Sequence, residues 1–411
     1  MKAHSSIEEI TVGPKNADIR GSDGKAIQAA IDLAAIRHIP RVLVKKGIYG
    51  CKNTIMLRSG IDLSGEGEMT VIRREPYKKS LLIKNVNHYE RFVSVKHPDY
   101  FTPGCVVTIK GKWSKSFPAV TVRACVVGKK GYELFLDRPY IGKNFWLEAG
   151  PVEISSLGPL ICGEDVEDVL VHDVQIDGNI PFDGMERDSG SGIYLRNCRG
   201  AVIRNVFSHN NNGDGIGFEI SNDVTVEECL AENNNMPIHA GSGSLRMCVR
   251  NNILRKNRYG FFFCWGIQQG ILEKNEISDN KTFGVSVGFE DSHNIIRNNR
   301  IIGNRDVGII FQTGHHPSQA PCDDTVEGNL IENNGPRNNA VAVKIDSTAD
   351  DIRIIGNRII ETRKGRKSTA VLIEKSVKKV LIEKNEIKGF RNDIVDCRIP
   401  ASKSVSCGCK K

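Results

Sequence analysis

The sequence predicts an all-β chain wound as a right-handed parallel β-helix, a solenoid with a short N-terminal capping helix and a small inserted β-subdomain. Three observations predict it. An apolar tetrad recurs along residues 191–389: Gly192-Ile193-Tyr194-Leu195, Gly215-Ile216-Gly217-Phe218, Pro237-Ile238-His239-Ala240, Gly260-Phe261-Phe262-Phe263, Gly284-Val285-Ser286-Val287, Gly308-Ile309-Ile310-Phe311, Ala340-Val341-Ala342-Val343 and Ala370-Val371-Leu372-Ile373. Asparagines close the turns in constant phase at Asn210, Asn233, Asn257, Asn280, Asn304 and Asn334, in steps of 23, 24, 23, 24 and 30 residues. Between them lie only short β-branched or aromatic runs broken by Gly, Asn and Asp, with no stretch long enough for a helix. A repeat of this length built from short strands means stacked coils with three strands per turn. The right-handed rule for parallel crossovers sets the hand. The asparagines are expected where a turn needs left-handed backbone, and their amides can bond from coil to coil.

In chain order, residues 1–92 form the N-terminal cap and first coils. Gly21-Ser22-Asp23-Gly24 precedes a helical stripe of Ile27, Ala30, Ile31 and Ala34, a helix expected to plug one end of the coil. Residues 93–151 abandon the repeat for longer alternating strands and form the inserted subdomain, which covers the helix end or helps to bind glycan. Residues 152–389 carry the regular coils and the expected groove. Residues 390–411 form a C-terminal cap or tail.

Composition narrows the partner. The 57 Lys+Arg against 49 Asp+Glu leave a charge of +8, which suits an anionic ligand without requiring one. Basic residues are scattered, aromatics are 6 % and no nucleic-acid motif is present, so a nucleic-acid partner is not expected. No membrane span is expected either. The polar start Met1-Lys2-Ala3-His4 carries no export signal, which places the chain inside the cell unless a leader was trimmed from a secreted or periplasmic protein. The 12 cysteines lack zinc spacing, and Cys198, Cys229 and Cys248 within the strands read as buried thiols. Cys407 and Cys409 read as part of a frayed tail.

Strand alternation then names a surface. With the second and fourth residues of each tetrad inside, the third faces out: Tyr194, Gly217, His239, Phe262, Ser286, Ile310, Ala342 and Leu372. Two residues later stand Arg196, Glu219, Gly241, Cys264, Gly288, Gln312, Lys344 and Glu374. Long polar loops, residues 177–188 and 314–324, are expected to wall a groove over this face. Within it the candidate catalytic residues are His239, Asp214, Glu219, Glu290 and Asp291. The candidate substrate-binding residues are Tyr194, Arg196, Phe262, Trp265, Gln312, His315 and Lys344. Glycines beside an outward His239 leave room for a ligand. Hydrolysis of a glycosidic bond needs two flanking carboxylates, for which Asp214 and Glu219 are the nearest in sequence. β-Elimination needs a base and a positive partner for the uronate carboxylate, roles open to His239 and Arg196. No metal site is expected from His315-His316, a pair lacking a third ligand.

The chain resembles the pectate lyase and polygalacturonase superfamily of parallel β-helices. The resemblance begins in the capping helix, the strand end Gly47-Ile48-Tyr49 and the turn Leu63-Ser64-Gly65-Glu66-Gly67, and covers most of the chain as architecture. Gly213-Asp214-Gly215-Ile216 matches one aspartate of the polygalacturonase pair. Ser189-Gly190-Ser191-Gly192 stands where the first motif should be, and no Arg-x-Lys follows His239 on the outward face. The resemblance implies a carbohydrate-active enzyme that cleaves a polysaccharide, with acidic sugars favoured, as a lyase or a glycoside hydrolase. No cofactor is expected, although a divalent cation such as calcium would accompany lyase chemistry. A non-catalytic, tailspike-like adhesin and a uronate epimerase are the alternatives, and side-by-side homo-oligomers suit such coils.

Overall fold

The computed structural model describes residues 9–112, 114–115, 120–137, 141–180, 188–312, 316–346, 348–363 and 367–398. The chain is a right-handed parallel β-helix. It divides into two compact units, the first comprising Met1–Gly163, Asp173–Tyr194 and Asn210–Gly213, the second Glu164–His172, Leu195–His209 and Asp214–Lys411.

In the first unit the expected helix runs Gly24–Arg37. The Asp23 carboxylate accepts from the Ala26 N–H at 3.0 Å, His38 closes the other end in left-handed conformation, and Ala26, Ile27, Ala30, Ile31 and Ala34 are buried. Strands Glu9–Gly13, Arg41–Val44 and Asp62–Gly65 pair in parallel beside it. Arg74 is buried, and its guanidinium donates to the carbonyls of Gly158 and Ser191; burial lowers its pKa to about 10. A six-stranded antiparallel sheet also lies in this unit, in the order Lys79–Leu81, Glu153–Ser155, Val106–Gly111, Val120–Lys130, Glu133–Leu136, Phe92–Ser94. Phe101, Val107, Ile109, Leu134 and Phe145 fill its core.

In the second unit each coil carries three strands. The longest row runs Asp214–Glu219, Met236–Gly241, Phe261–Phe263, Phe283–Gly288, Val307–Gln312, Ala340–Ile345, Ser368–Ile373 and Asn392–Asp396, each parallel to the next. Phe218, Ala240, Phe263, Val287 and Phe311 follow one another into the core with no exposure, large residues alternating with small ones so that successive layers interdigitate. A fully buried Phe contributes about 1.5–3 kcal/mol through this contact. The glycine opening several tetrads has a steric cause. A Cβ on Gly260 would overlap the Gly284 carbonyl oxygen of the next coil.

Two asparagine ladders hold the corners, and the second was not foreseen. Asn234, Asn257, Asn280, Asn304 and Asn334 form one; Asn252, Asn275, Asn299, Asn329, Asn357 and Asn385 form the other. Each side-chain oxygen accepts from the preceding ladder residue's backbone N–H, at 2.9 Å for Asn275 onto Asn252, while the amide nitrogen donates to a carbonyl one coil back. The expected column is thereby corrected. Asn234 stands in the ladder where Asn233 was expected, and Asn210 is no member. The left-handed backbone falls on the residue before each ladder asparagine, as at Asn233, Asn251, Lys256, Lys274, Asp279, Asn298 and Asn333, because the ladder residue's amide must point inward.

Further down the row the register differs by two residues from the expected phase. Ile309 pairs with Val343 and Ile310 with Lys344, so Ala342 and Val343 are both buried and Lys344, not Ala342, continues the outward row. Uniformly small apolar residues over 340–343 give alternation no contrast to fix the phase.

Two carboxyls are buried at corners. Asp291 is fully enclosed, and its two oxygens accept from the N–H groups of Ile267 and Gly288, each at 2.8 Å. Burial pushes its pKa up to about 8 against those two bonds, and burial likewise holds Asp324 well above the usual carboxyl range. Both groups keep protons that the unfolded chain releases near pH 4, so their stabilising contribution is complete below that pH and is lost as pH rises through the folded-state value, about 8 for Asp291. The melting temperature should therefore be higher at pH 5 than at pH 8, by roughly 5 °C. Asp291→Asn should flatten that difference in thermal melts; an unchanged slope would contradict a protonated Asp291.

Candidate functional site

The outward row of the second unit reads Gly217, His239, Phe262, Ser286, Ile310, Lys344 and Leu372 in register. Position 217 has no side chain, and the Asp214 carboxylate occupies that space: a Cβ there would come within 2.8 Å of its Oδ2. From this position Oδ2 meets His239 Nδ1 at 3.0 Å. Both groups are buried, with side-chain exposures of 1 % for Asp214 and 8 % for His239. Burial opposes a charge on the ring, but Asp214 outweighs it through charge and hydrogen bond. The Cys264 thiol adds to this, and the pKa of His239 stands well above the usual imidazole value. The imidazolium form therefore persists through neutral pH.

His239 Nε2 has no hydrogen-bond partner among the described residues, although it is buried. Asn235, fully buried at the start of the same strand, also leaves both amide atoms without one. Buried polar groups are nearly always paired, so two such residues around one strand mark a place prepared for other contacts.

Aromatic rings surround the dyad. Phe262 stacks on His239 at 6.0 Å and 13°, and touches Phe283 at 5.8 Å and Phe289 at 6.5 Å. Trp265, 46 % exposed, stacks on Phe289 at 5.8 Å. Trp265, Phe289 and Glu290 all have positive φ, of 69°, 53° and 73°. Three strained non-glycine residues at one corner cluster where function most often keeps strain. Phe283 and Phe289 were not singled out in the sequence; each flanks a tetrad strand, and aromatic spacing across coils was the signal that pointed to them.

The remaining candidates fall into three groups. Glu219 lies over Gly241, whose Cβ would meet its Cγ at 2.6 Å, and so stands one outward position along from His239. Gln312 donates to Ser286 Oγ at 2.8 Å, and Glu290 is exposed. Arg196 pairs with Glu164 at 3.5 Å, and Lys344 with Asp346 at 2.9 Å. Two expectations are corrected. Asp291 is a corner residue whose oxygens are used by backbone N–H groups, not a groove carboxylate. Tyr194 is buried in the first unit with the Arg123 guanidinium 4.2 Å from its ring centre, because the inserted sheet supplies a cation to cover it. His315 lies outside the described residues. Among the described residues no group of three His, Cys, Asp or Glu side chains could hold a metal ion, and no helix is long and apolar enough to cross a membrane.

Residues 160–323 match a family model described as the right-handed beta helix region. No curated protein matches the chain in sequence. Among solved structures, the A-module of the Azotobacter vinelandii mannuronan C-5 epimerase AlgE6 is similar over 92 % of this chain and 95 % of its own, at 16 % identity and a TM-score of 0.54. The Streptococcus pneumoniae surface protein and adhesin PfbA is similar over 91 % and 97 %, at 13 % identity and a TM-score of 0.52. The Dettilon tailspike protein gp208 is similar over 92 % and 68 %, at 12 % identity and a TM-score of 0.55. The fold is a right-handed parallel β-helix.

Proposed function

We propose that the chain is an enzyme that cleaves glycosidic linkages of a polysaccharide by acid–base chemistry, with His239 as the proton donor. The observation that carries this reading is the buried Asp214–His239 pair with an unpartnered Nε2. Elimination and hydrolysis both leave a glycosidic oxygen in need of a proton, and an imidazolium held charged through neutral pH supplies one. Glu219, one outward position along, is the complementary base, for the ring proton in elimination or for water in hydrolysis. Asp214 is engaged with His239 and serves as its orienting partner. The cationic ring and the net charge of +8 favour acidic sugars, and Phe262 and Trp265 offer faces for sugar stacking. The likeness in fold to proteins named a mannuronan epimerase, a tailspike and an adhesin agrees with a carbohydrate partner. The exposed Trp265–Phe289 stack favours a second reading, glycan binding without cleavage.

The test is incubation with acidic and neutral polysaccharides, following the ultraviolet absorbance of unsaturated ends together with reducing ends. Both signals mean elimination, and new reducing ends alone mean hydrolysis. Altered sugar composition without new ends means epimerisation, which replaces cleavage. Binding on a glycan array with none of these signals would overturn the enzymatic reading.

A further inference from the structure

The His239 ring links three successive coils. Nδ1 faces Asp214 on the coil before, so the opposite ring edge, with Nε2, faces the coil after, where Phe262 pairs with His239. Cys264 follows two residues later. Strand alternation through Phe261 (buried), Phe262 (half-buried), Phe263 (buried) and Cys264 (half-buried) puts its thiol on the same outward face as the ring. Neighbours in this diagonal relation lie within reach of long side chains. The buried Nε2 has no hydrogen-bond partner among the described residues.

We propose that Cys264 is a peroxide-sensitive modification site, with the His239 ring, held by Asp214, as the proton donor to the departing oxygen. A thiol beside an imidazole that a carboxylate holds in place has a proton donor for the group its sulfur displaces. In the reaction the Cys264 sulfur attacks one oxygen of hydrogen peroxide; the S–O bond forms as the O–O bond breaks. The departing hydroxide takes the Nε2 proton and leaves as water. Sulfur is oxidised by two electrons to the sulfenic acid, the peroxide is reduced, and His239 is left neutral.

Three other half-buried cysteines provide internal controls. At Cys125, Cys248 and Cys322 burial, aided by neighbouring carboxylates, pushes each thiol up: Asp137 at Cys125, Glu273 at Cys248 and Asp324 at Cys322. The proposal does not depend on the polysaccharide reading, since its readout needs no substrate.

The experiment exposes the full folded chain to limiting hydrogen peroxide, traps sulfenic acid with dimedone and quantifies each cysteine by peptide mass spectrometry. Cys264 should be trapped about 10-fold faster than Cys125, Cys248 or Cys322, and His239→Asn or Asp214→Asn should remove most of that advantage. Equal rates among the four cysteines in the unsubstituted protein would overturn the proposal, with no variant needed. A Cys264 rate unchanged in a His239→Asn protein that keeps its wild-type circular dichroism would overturn it as well.

Discussion

His239→Asn is expected to lower polysaccharide cleavage by about 10²–10⁴-fold, the range that a positioned acid or base contributes. Asparagine keeps a polar group near Asp214 but cannot deliver a proton, so the loss should fall on kcat more than on KM. The pH profile separates a chemical role from a structural one. The pKa of His239 is well above its ordinary value, so the charged form and the activity that needs it should persist through neutral pH and fall on an alkaline limb. Asp214→Asn removes the largest influences raising that pKa and leaves burial, which lowers it; the alkaline limb should then move toward acid. An unmoved limb in Asp214→Asn, or full activity in His239→Asn, would remove His239 from the chemistry. The same pair contributes to stability in the sense already given for Asp291. A folded-state pKa raised above the unfolded value stabilises fully below the unfolded pKa and ceases to do so as pH climbs past the folded one.

Asn299→Ala is expected to be the most damaging of the conservative surface-to-corner substitutions, costing about 3–5 kcal/mol through buried groups left unpaired. The Asn299 oxygen accepts from both the backbone and the side-chain nitrogen of Asn275, each at 3.0 Å, and its amide donates to the Leu272 carbonyl at 2.8 Å and to Asn329 Oδ1 at 3.0 Å. Alanine leaves the Asn275 N–H, a buried donor, with nothing in its place. The adjacent Asn298 is exposed with φ of 55°, and Asn298→Gly should be close to neutral, because glycine adopts that conformation without strain. Thermal melts and protease susceptibility of the two variants make the comparison. Similar losses for both would mean that the ladder contributes no more than an ordinary turn residue. Coils of a solenoid depend on their neighbours, so the effect should spread to the strands stacked on either side.

These neighbours, Asn298 and Asn299, mark where the sequence stops being informative. Both are asparagines in a turn at constant phase, and composition cannot say which one points inward. That depends on the backbone turning left-handed one residue earlier, a property of the closed coil. The same limit explains Asn233 and Asn234. It also explains Lys344, since the small apolar run 340–343 carries no alternation from which the register could be read.

What the sequence by itself determined is the class of fold and the outward row up to Ile310. Strong contrast between apolar and polar residues at period two leaves one way to bury the tetrads, and a repeat of about 23 residues leaves one way to stack them. The capping helix was equally legible, because its cap residue and buried stripe act within a single turn of chain. Only the tertiary structure decided which outward residues act together. Asp214 reaches His239 on the following coil because Gly217, on its own strand, leaves the space open. Those distances are set by the stacking of coils more than 20 residues apart, and no local pattern encodes them. Burial made the remaining distinction. It turned Asp291 from a candidate acid into a corner support and placed Tyr194 beneath Arg123, because the cost of an enclosed charge or ring depends on what covers it.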